Sequence, residues 1–227
     1  MLRKVIRKMQ NIGGVLYRVE TDYPCAALTF DDGPDPDTTP AYVELLSDYN
    51  VNATFFLVGK SAERNSDIVR MIIEKGHFIG NHSWEHTSFR SLPFKDKINQ
   101  IAKCSNVLPD VGIKLFRPPY GELDYRTALW LYRNGYETVY WTVDGLDFLD
   151  YESTCIYKFL KNNIRAGSIL LMHDVLYKPQ YNSYKNRDHS LKALEMLLEE
   201  TAGIYRYMTI PELMSTGIPC RSIRFIL

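Results

Sequence analysis

His82 and His86 stand four positions apart in the string His82-Ser83-Trp84-Glu85-His86. On a helical turn that spacing puts both imidazoles on one side, where they can reach a single cation. Two hydrogen-bonded structural histidines fit the same string equally well. In the H-E-x-x-H arrangement of zinc proteases a base sits next to the first histidine. Here that place is taken by Ser83, so a base must come from elsewhere. Asp31-Asp32, locked by Gly33-Pro34, offers one. Adjacent acids at a strand end point in different directions, so one can bind metal while the other stays free. An Asx-type turn, with both carboxylates on backbone amides, is the plainer alternative.

Three further strings carry polar groups suited to chemistry. Arg117-Pro118-Pro119-Tyr120-Gly121 is a rigid cationic turn in which two prolines fix φ and Gly121 permits a positive φ. Such a turn can aim the Tyr120 amide at a ligand, and Arg117 can fork onto a carboxylate; a surface turn with a solvated arginine has the same composition. Asp144-Gly145-Leu146-Asp147-Phe148 follows an apolar run, and Leu171-Met172-His173-Asp174 ends another. His173 titrates near neutral pH and can donate a proton, or it can be a core histidine bonded to a carboxylate.

The elements that must position these strings alternate. Ala26–Phe30 reads as a strand, and Tyr42, Val43, Leu45, Leu46 and Tyr49 mark a helix face. Strands are expected over Thr54–Val58, His77–Gly80, Leu115-Phe116, Thr138–Val143, Ser168–Met172 and Arg206–Thr209. Helices are expected around Ile68–Ile73, Ile98–Leu108, Leu123–Tyr132, Tyr151–Asn162 and Leu191–Leu198. Alternation of this kind means a parallel α/β arrangement. Asp31, His82, Arg117, Asp144 and His173 all fall just after apolar runs. A closed strand-helix barrel gathers such positions on one face, which favours a barrel over an open sheet.

Composition sets bounds. With 27 Lys plus Arg against 27 Asp plus Glu, the formal net charge is zero, so affinity for nucleic acid is not expected. The cysteines Cys25, Cys104, Cys155 and Cys220 contain no C-x-x-C pair and read as small buried hydrophobes. Leu2, Val5, Ile6 and Met9 suggest a short basic amphipathic helix covering one end of the fold. No signal peptide and no run of roughly 20 apolar residues is visible, which gives a cytoplasmic expectation. Between His173 and the last helix, the polar segment Asp174–His189 carries Tyr177, Tyr181 and Tyr184, suited to a sugar-stacking lid or a plain surface loop.

Taken together, the five strings resemble the polysaccharide deacetylases of carbohydrate esterase family 4, whose module is called the NodB homology domain. Thr29–Pro34 matches the family's first motif, His82–His86 its H-[ST]-x-x-H, Arg117–Gly121 its R-x-P-[YF]-G-like turn and Leu171–His173 its L-x-H. Asp144–Phe148 resembles D-x-x-D-W, with Phe148 in place of the tryptophan that walls the acetyl pocket. The resemblance implies a distorted (β/α) barrel of about seven strands and a divalent metal, zinc or cobalt, on Asp32, His82 and His86. It implies Asp31 as base paired with Arg117, His173 as acid oriented by Asp147, and the Tyr120 amide as oxyanion donor. Pro118, Tyr120, Phe148 and Leu171 would contact substrate, and no organic cofactor is expected. The domain would span 24–216, after an N-terminal extension (1–23) packed on the barrel and before a C-terminal tail (217–227). The expected activity is removal of N-acetyl groups from N-acetylglucosamine-type residues of chitin- or peptidoglycan-like glycans. An O-deacetylase acting on a glycan such as xylan, or a non-catalytic glycan-binding protein, is the alternative.

Overall fold

The computed structural model describes residues 13–149, 151–177 and 186–222. The helix expected from Leu2, Val5, Ile6 and Met9 lies outside them, as do Tyr181 and Tyr184 of the expected lid. Strand β1 (Val15–Glu20) is followed by β2 (Cys25–Asp31), buried along its whole length. That burial on both faces is why β2 reads as an unbroken apolar run rather than an alternation. Parallel to β2 lie β3 (Thr54–Leu57) on one side and β8 (Ser168–His173) on the other. Beyond β3 come β4 (Phe78–Asn81), β5 (Lys114–Phe116) and β6 (Tyr136–Thr138), all parallel. The short strand β7 (Val143–Asp144) pairs with β8, and β9 (Arg206–Met208) pairs with β2.

The sheet curls until its ends meet. Val139, one residue past β6, bridges Leu16 of β1, and β1 pairs antiparallel with β8. The path β1-β8-β2-β3-β4-β5-β6 returns to β1, a distorted barrel with seven strands in its ring. Strand β10 (Ile218–Ser222), from the expected tail, runs antiparallel along β1, from the expected extension.

Helices cover the outer face: α1 (Thr39–Asp48), α2 (Gly59–Arg64), α3 (Ser66–Glu74), α4 (Phe94–Val107), α5 (Tyr125–Arg133), α6 (Ser153–Asn163), α7 (Asp188–Thr201) and α8 (Ile210–Ser215). Phe30, Phe55, Leu57, Leu170 and Met172 pack against Tyr42, Ile72, Leu160 and Leu197 in the largest core cluster. Alternate residues of the same strands turn the other way. Ala27, Phe56, Leu115 and Ile169 form a second cluster, and two residues further along each chain stand Thr29, Val58, Arg117 and Leu171. Continuing the period of two brings β2 to Asp31 and β8 to His173, paired in register. An apolar floor therefore gives way to ionisable groups at the carboxyl ends of the strands.

Two expectations need correction. A continuous strand over Thr138–Val143 is broken, because the chain changes partner almost residue by residue. The Val139 N–H bonds Phe116, Tyr140 bonds Leu16 and Thr142 bonds Ile169, so no single ladder can run through. Cys25 and Cys104 are buried as expected, but Cys155 is exposed, on the solvent side of α6.

Candidate metal centre and active site

His82 to His86 do not form a helical turn. They make a loop after β4 in which Ser83 (φ 67°) and His86 (φ 54°) adopt left-handed backbone. The reversal still brings the rings together, with centroids 5.0 Å apart. Asp32 (φ 79°), Tyr120 (φ 58°) and Leu146 (φ 53°) are left-handed too. Such conformations cost on the order of 1 kcal/mol each for non-glycine residues. Of six such residues among those described, five lie in the loops after β2, β4, β5 and β7.

Asp32 Oδ1 stands 3.1 Å from His86 Nε2 and 3.4 Å from His82 Nε2. Donor atoms of these three residues all lie within 4.8 Å of one another, and Asp32 and His82 are buried. Asp32 Oδ1 has no hydrogen-bond donor, a costly state for a buried carboxylate oxygen unless a cation occupies the space between the donors. Burial opposes ionisation of Asp32, yet His86 and His82 hold its carboxyl well below the usual range. The His82 Nδ1 lies 2.8 Å from the Arg117 carbonyl. A carbonyl only accepts, so Nδ1 carries the proton and the Nε2 lone pair faces the cluster. The donor set, one carboxylate and two imidazoles, suits zinc or another first-row divalent ion.

Asp31, 3% exposed, sits beside this cluster with Oδ2 3.7 Å from His82 Nε2. Its Oδ1 accepts from Arg117 Nη1 at 2.7 Å. Arg117 is fully buried, and its remaining donors reach Thr29 Oγ1 and the Val139 and Tyr140 carbonyls. Its guanidinium lies 4.1 Å from the Phe56 ring centroid. A side chain on Gly80 would meet that ring at 2.5 Å, so the glycine makes room for the platform under Arg117.

On β8, His173 Nδ1 lies 2.8 Å from Asp147 Oδ1. Burial pulls the His173 pKa down, but Asp147, with Asp32 and Asp31 behind it, pushes it up to about 9. Burial opposes the charge of Asp147 as well, and Arg187 and His173 bring its carboxyl to about 2. The Phe148 ring meets His173 edge-on at 5.8 Å and is 38% exposed. Tyr120, 63% exposed, sets its ring 4.6 Å from that of His86. Pro118 and Leu171 are buried in the loop after β5 and in β8.

Comparison with known proteins accords with this geometry. Residues 18–139 match the family model described as polysaccharide deacetylase. A peptidoglycan-N-acetylglucosamine deacetylase of Bacillus cereus is 31% identical over 94% of this chain and 98% of its own length. The chain belongs to the polysaccharide deacetylase family. A chitooligosaccharide deacetylase of Sinorhizobium fredii is 30% identical over 69% of this chain and 75% of its own. The crystal structure of the Bc1960 peptidoglycan N-acetylglucosamine deacetylase, in complex with 4-naphthalen-1-yl-N-oxidanyl-benzamide, superposes with a TM-score of 0.80 at 31% identity. That match covers 90% of this chain and 94% of the other.

In this deacetylase-family chain two residues near the site carried no visible signal in the sequence. Arg187 closes Asp147 from behind, with Nη2 2.5 Å from Oδ2 and Nη1 on the Asp147 carbonyl. Ser190 Oγ adds a third donor to the same oxygen. Arg187 lies in the Asp174–His189 stretch that read only as polar loop, and Ser190 lies in the first turn of α7. Asp174, fully buried, accepts from Thr39 at 2.5 Å, and burial pushes its carboxyl up to about 7. Asp144 is bonded to the Leu146 amide and its carboxyl is raised, chiefly by burial.

Proposed function

We propose that this chain hydrolyses the N-acetyl group of N-acetylglucosamine-type residues in a poly- or oligosaccharide and releases acetate, with a divalent cation, zinc or cobalt, on Asp32, His82 and His86. The observation that carries the reading is Asp32 Oδ1, buried and without a donor between two imidazole nitrogens, with Asp31 beside it, bonded to Arg117 through its other oxygen, Oδ1. A cation bound there supplies Lewis acidity and lowers the pKa of a nearby water to about 7.

Asp31 accepts the proton of the attacking water. Arg117 holds it in place from a buried position anchored by four hydrogen bonds, which fixes the angle of the other oxygen. As the acetamide carbon becomes tetrahedral, the Tyr120 N–H donates to the developing oxyanion. The left-handed Tyr120-Gly121 turn supports that assignment, because the Gly121 and Glu122 amides are bonded back to Pro118 and Pro119. An amine leaves only once it is protonated, and His173 Nε2 gives it that proton. Asp147 keeps Nδ1 engaged, so Nε2 is the nitrogen that faces substrate. Phe148, with Leu171 and Pro118, walls the acetyl methyl.

Acetate release from N-acetylated chitooligosaccharides and peptidoglycan fragments, measured with zinc or cobalt present, tests the reading. Asp31→Asn is expected to lower kcat by about 100-fold or more, and, because it also takes the counter-charge from the buried Arg117, to lower Tm while the fold read by circular dichroism is kept. An N-hydroxy amide chelates metals, so the molecule bound by the Bc1960 enzyme is expected to inhibit. Acetate appearing only from O-acetylated xylan would transfer the assignment to ester cleavage, and none from a broad panel would leave a glycan-binding protein.

A further inference from the structure

Arg187 precedes α7 at a place where a cation is not expected. The residue just before a helix favours Asp, Asn, Ser or Thr, because a side-chain oxygen can accept from the first free amides. An arginine has no acceptor to offer there, and its charge opposes the positive end of the helix dipole. Its side chain makes no capping bond. Instead it turns inward until the residue is only 6% exposed. A residue that breaks a local rule in this way answers a demand from elsewhere in the molecule.

That demand comes from the pair Asp147 and His173. Arg187 Nη2 donates to Asp147 Oδ2 at 2.5 Å and to the His173 carbonyl at 3.1 Å. Nη1 donates to the Asp147 carbonyl at 2.9 Å, and Nε to the His173 carbonyl at 3.3 Å. One guanidinium thus grips both residues, Asp147 in the loop after β7 and His173 at the end of β8. Asp147 Oδ2 also accepts from the His173 amide at 2.9 Å and from Ser190 Oγ at 2.6 Å. Three donors hold that oxygen and leave Oδ1 turned to His173 Nδ1 at 2.8 Å. The carboxylate cannot rotate without breaking these bonds. A buried ion pair adds little net stability to a fold; what this one supplies is direction.

Resting on the deacetylase reading above, we propose that Arg187 is a positioning residue for the leaving-group step: its fork locks Asp147 so that His173 Nε2 stays aimed at the amide nitrogen. In that step the C–N bond breaks, its electron pair stays with nitrogen, and the Nε2 proton passes to the same atom. Arg187 acts through Asp147 and His173, not on the substrate. It is therefore needed where the leaving group must be protonated and dispensable where the leaving group departs as a stable anion. The addition of water, which rests on Asp31 and the cation site, does not call on it.

The test compares leaving groups. Turnover by the zinc-loaded protein is measured on an N-acetylated tetrasaccharide of chitin or peptidoglycan, an amide, and on 4-nitrophenyl acetate, whose nitrophenolate leaves without a proton. Arg187→Lys keeps a charge beside Asp147 but loses the fork. It is expected to lower the amide-to-ester ratio of kcat/KM by on the order of tenfold, through kcat on the glycan with its KM little changed. Ser190→Ala removes one donor and no charge. It is expected to lower the ratio in the same direction by less, and it carries the test if Arg187→Lys does not fold. A ratio that the variants leave in place, whether both rates hold or both fall together, overturns the proposal. Proton NMR of the metal-free protein reads the same lock without turnover. The His173 Nδ1 proton is expected downfield and slow to exchange, and faster to exchange in either variant. That effect in a protein that releases acetate from no glycan upholds the lock and counts against the deacetylase reading; exchange indifferent to both variants sinks the proposal.

Discussion

At the scale of single residues, the site works by giving chemically similar groups different neighbours. Asp31 and Asp32 are adjacent in sequence and both buried, yet one is bonded to a guanidinium and the other faces two imidazoles. His82 and His173 differ in the same way: Nδ1 of the first meets a carbonyl, and Nδ1 of the second meets a carboxylate. The carboxylate is why His173 reaches a pKa of about 9 while burial works against it. An unfolded histidine titrates near 6.5, so the folded chain binds this proton more tightly than the unfolded chain does. The linked stability is complete below about 6.5 and is lost as pH rises through about 9. A general acid is active in its protonated form, so turnover is expected to fall on the alkaline side. A bound cation will draw the pKa below its metal-free value. In metal-free protein, NMR of the His173 ring is expected to show titration near 9, and Asp147→Asn to move it down. In the loaded enzyme the same variant should pull the alkaline limb of kcat to lower pH. An alkaline limb indifferent to Asp147→Asn would remove His173 from the acid role.

The elements show which parts of this were legible beforehand. Strands β2, β3 and β8 announced themselves as apolar runs, and the five motif strings at strand ends marked the candidate site, because burial on both faces and an abrupt polar switch both leave marks in sequence. β1 and β10 left no such mark: they pair at the sheet's edge with mixed burial, so neither run nor alternation is clean. Helix α8 did carry one, a Thr209-Ile210-Pro211-Glu212 capping box, overlooked because the preceding strand was drawn through Thr209. The His82–His86 loop was misread as helical because i,i+4 spacing describes distance along the chain, and left-handed residues can achieve the same meeting of rings. Arg187 was invisible since its importance depends on where α7 begins relative to β8. The turn from β2 into α1 shows how closely such elements are fitted. A Cβ on Gly33 would lie 2.5 Å from Asp174 Oδ2, the oxygen that holds Thr39 at the start of α1. Gly33→Ala is expected to cost about 1–3 kcal/mol by overpacking. Because the strain falls one residue from Asp32, zinc affinity measured by chelator competition should drop along with Tm. Retention of both would mean that Asp174 has room to move.

For the molecule as a whole, the question is what keeps a ring of strands closed when its last contact is a single bridge. The Leu16–Val139 pairing is one residue long, whereas β2 and β8 share six register pairs. Side chains make up part of the difference. Arg221 of β10 stands opposite Leu16 in the β1–β10 register. From there it reaches across the seam to Glu137 of β6, with Nε–Oε1 at 2.9 Å and Nη2–Oε2 at 2.7 Å. The pair is bidentate and its side chains are only 16% and 18% exposed, so it should exceed the smallest surface ion pairs while remaining modest. Glu137→Gln is expected to cost about 1 kcal/mol, which for a chain of this size lowers Tm by roughly 2–4 °C. The location of the loss is the sharper readout. Hydrogen exchange should quicken at the amides of β6, β1 and Tyr140, whose N–H bonds Leu16 across the seam, and stay slow in β2 and β3. Arg117 holds the Val139 and Tyr140 carbonyls from inside the barrel, so a looser seam reaches the residue that orients Asp31. A lower kcat with KM little changed should therefore accompany the faster exchange. Uniform quickening across all strands, or none at the seam, would show that closure rests on the core alone.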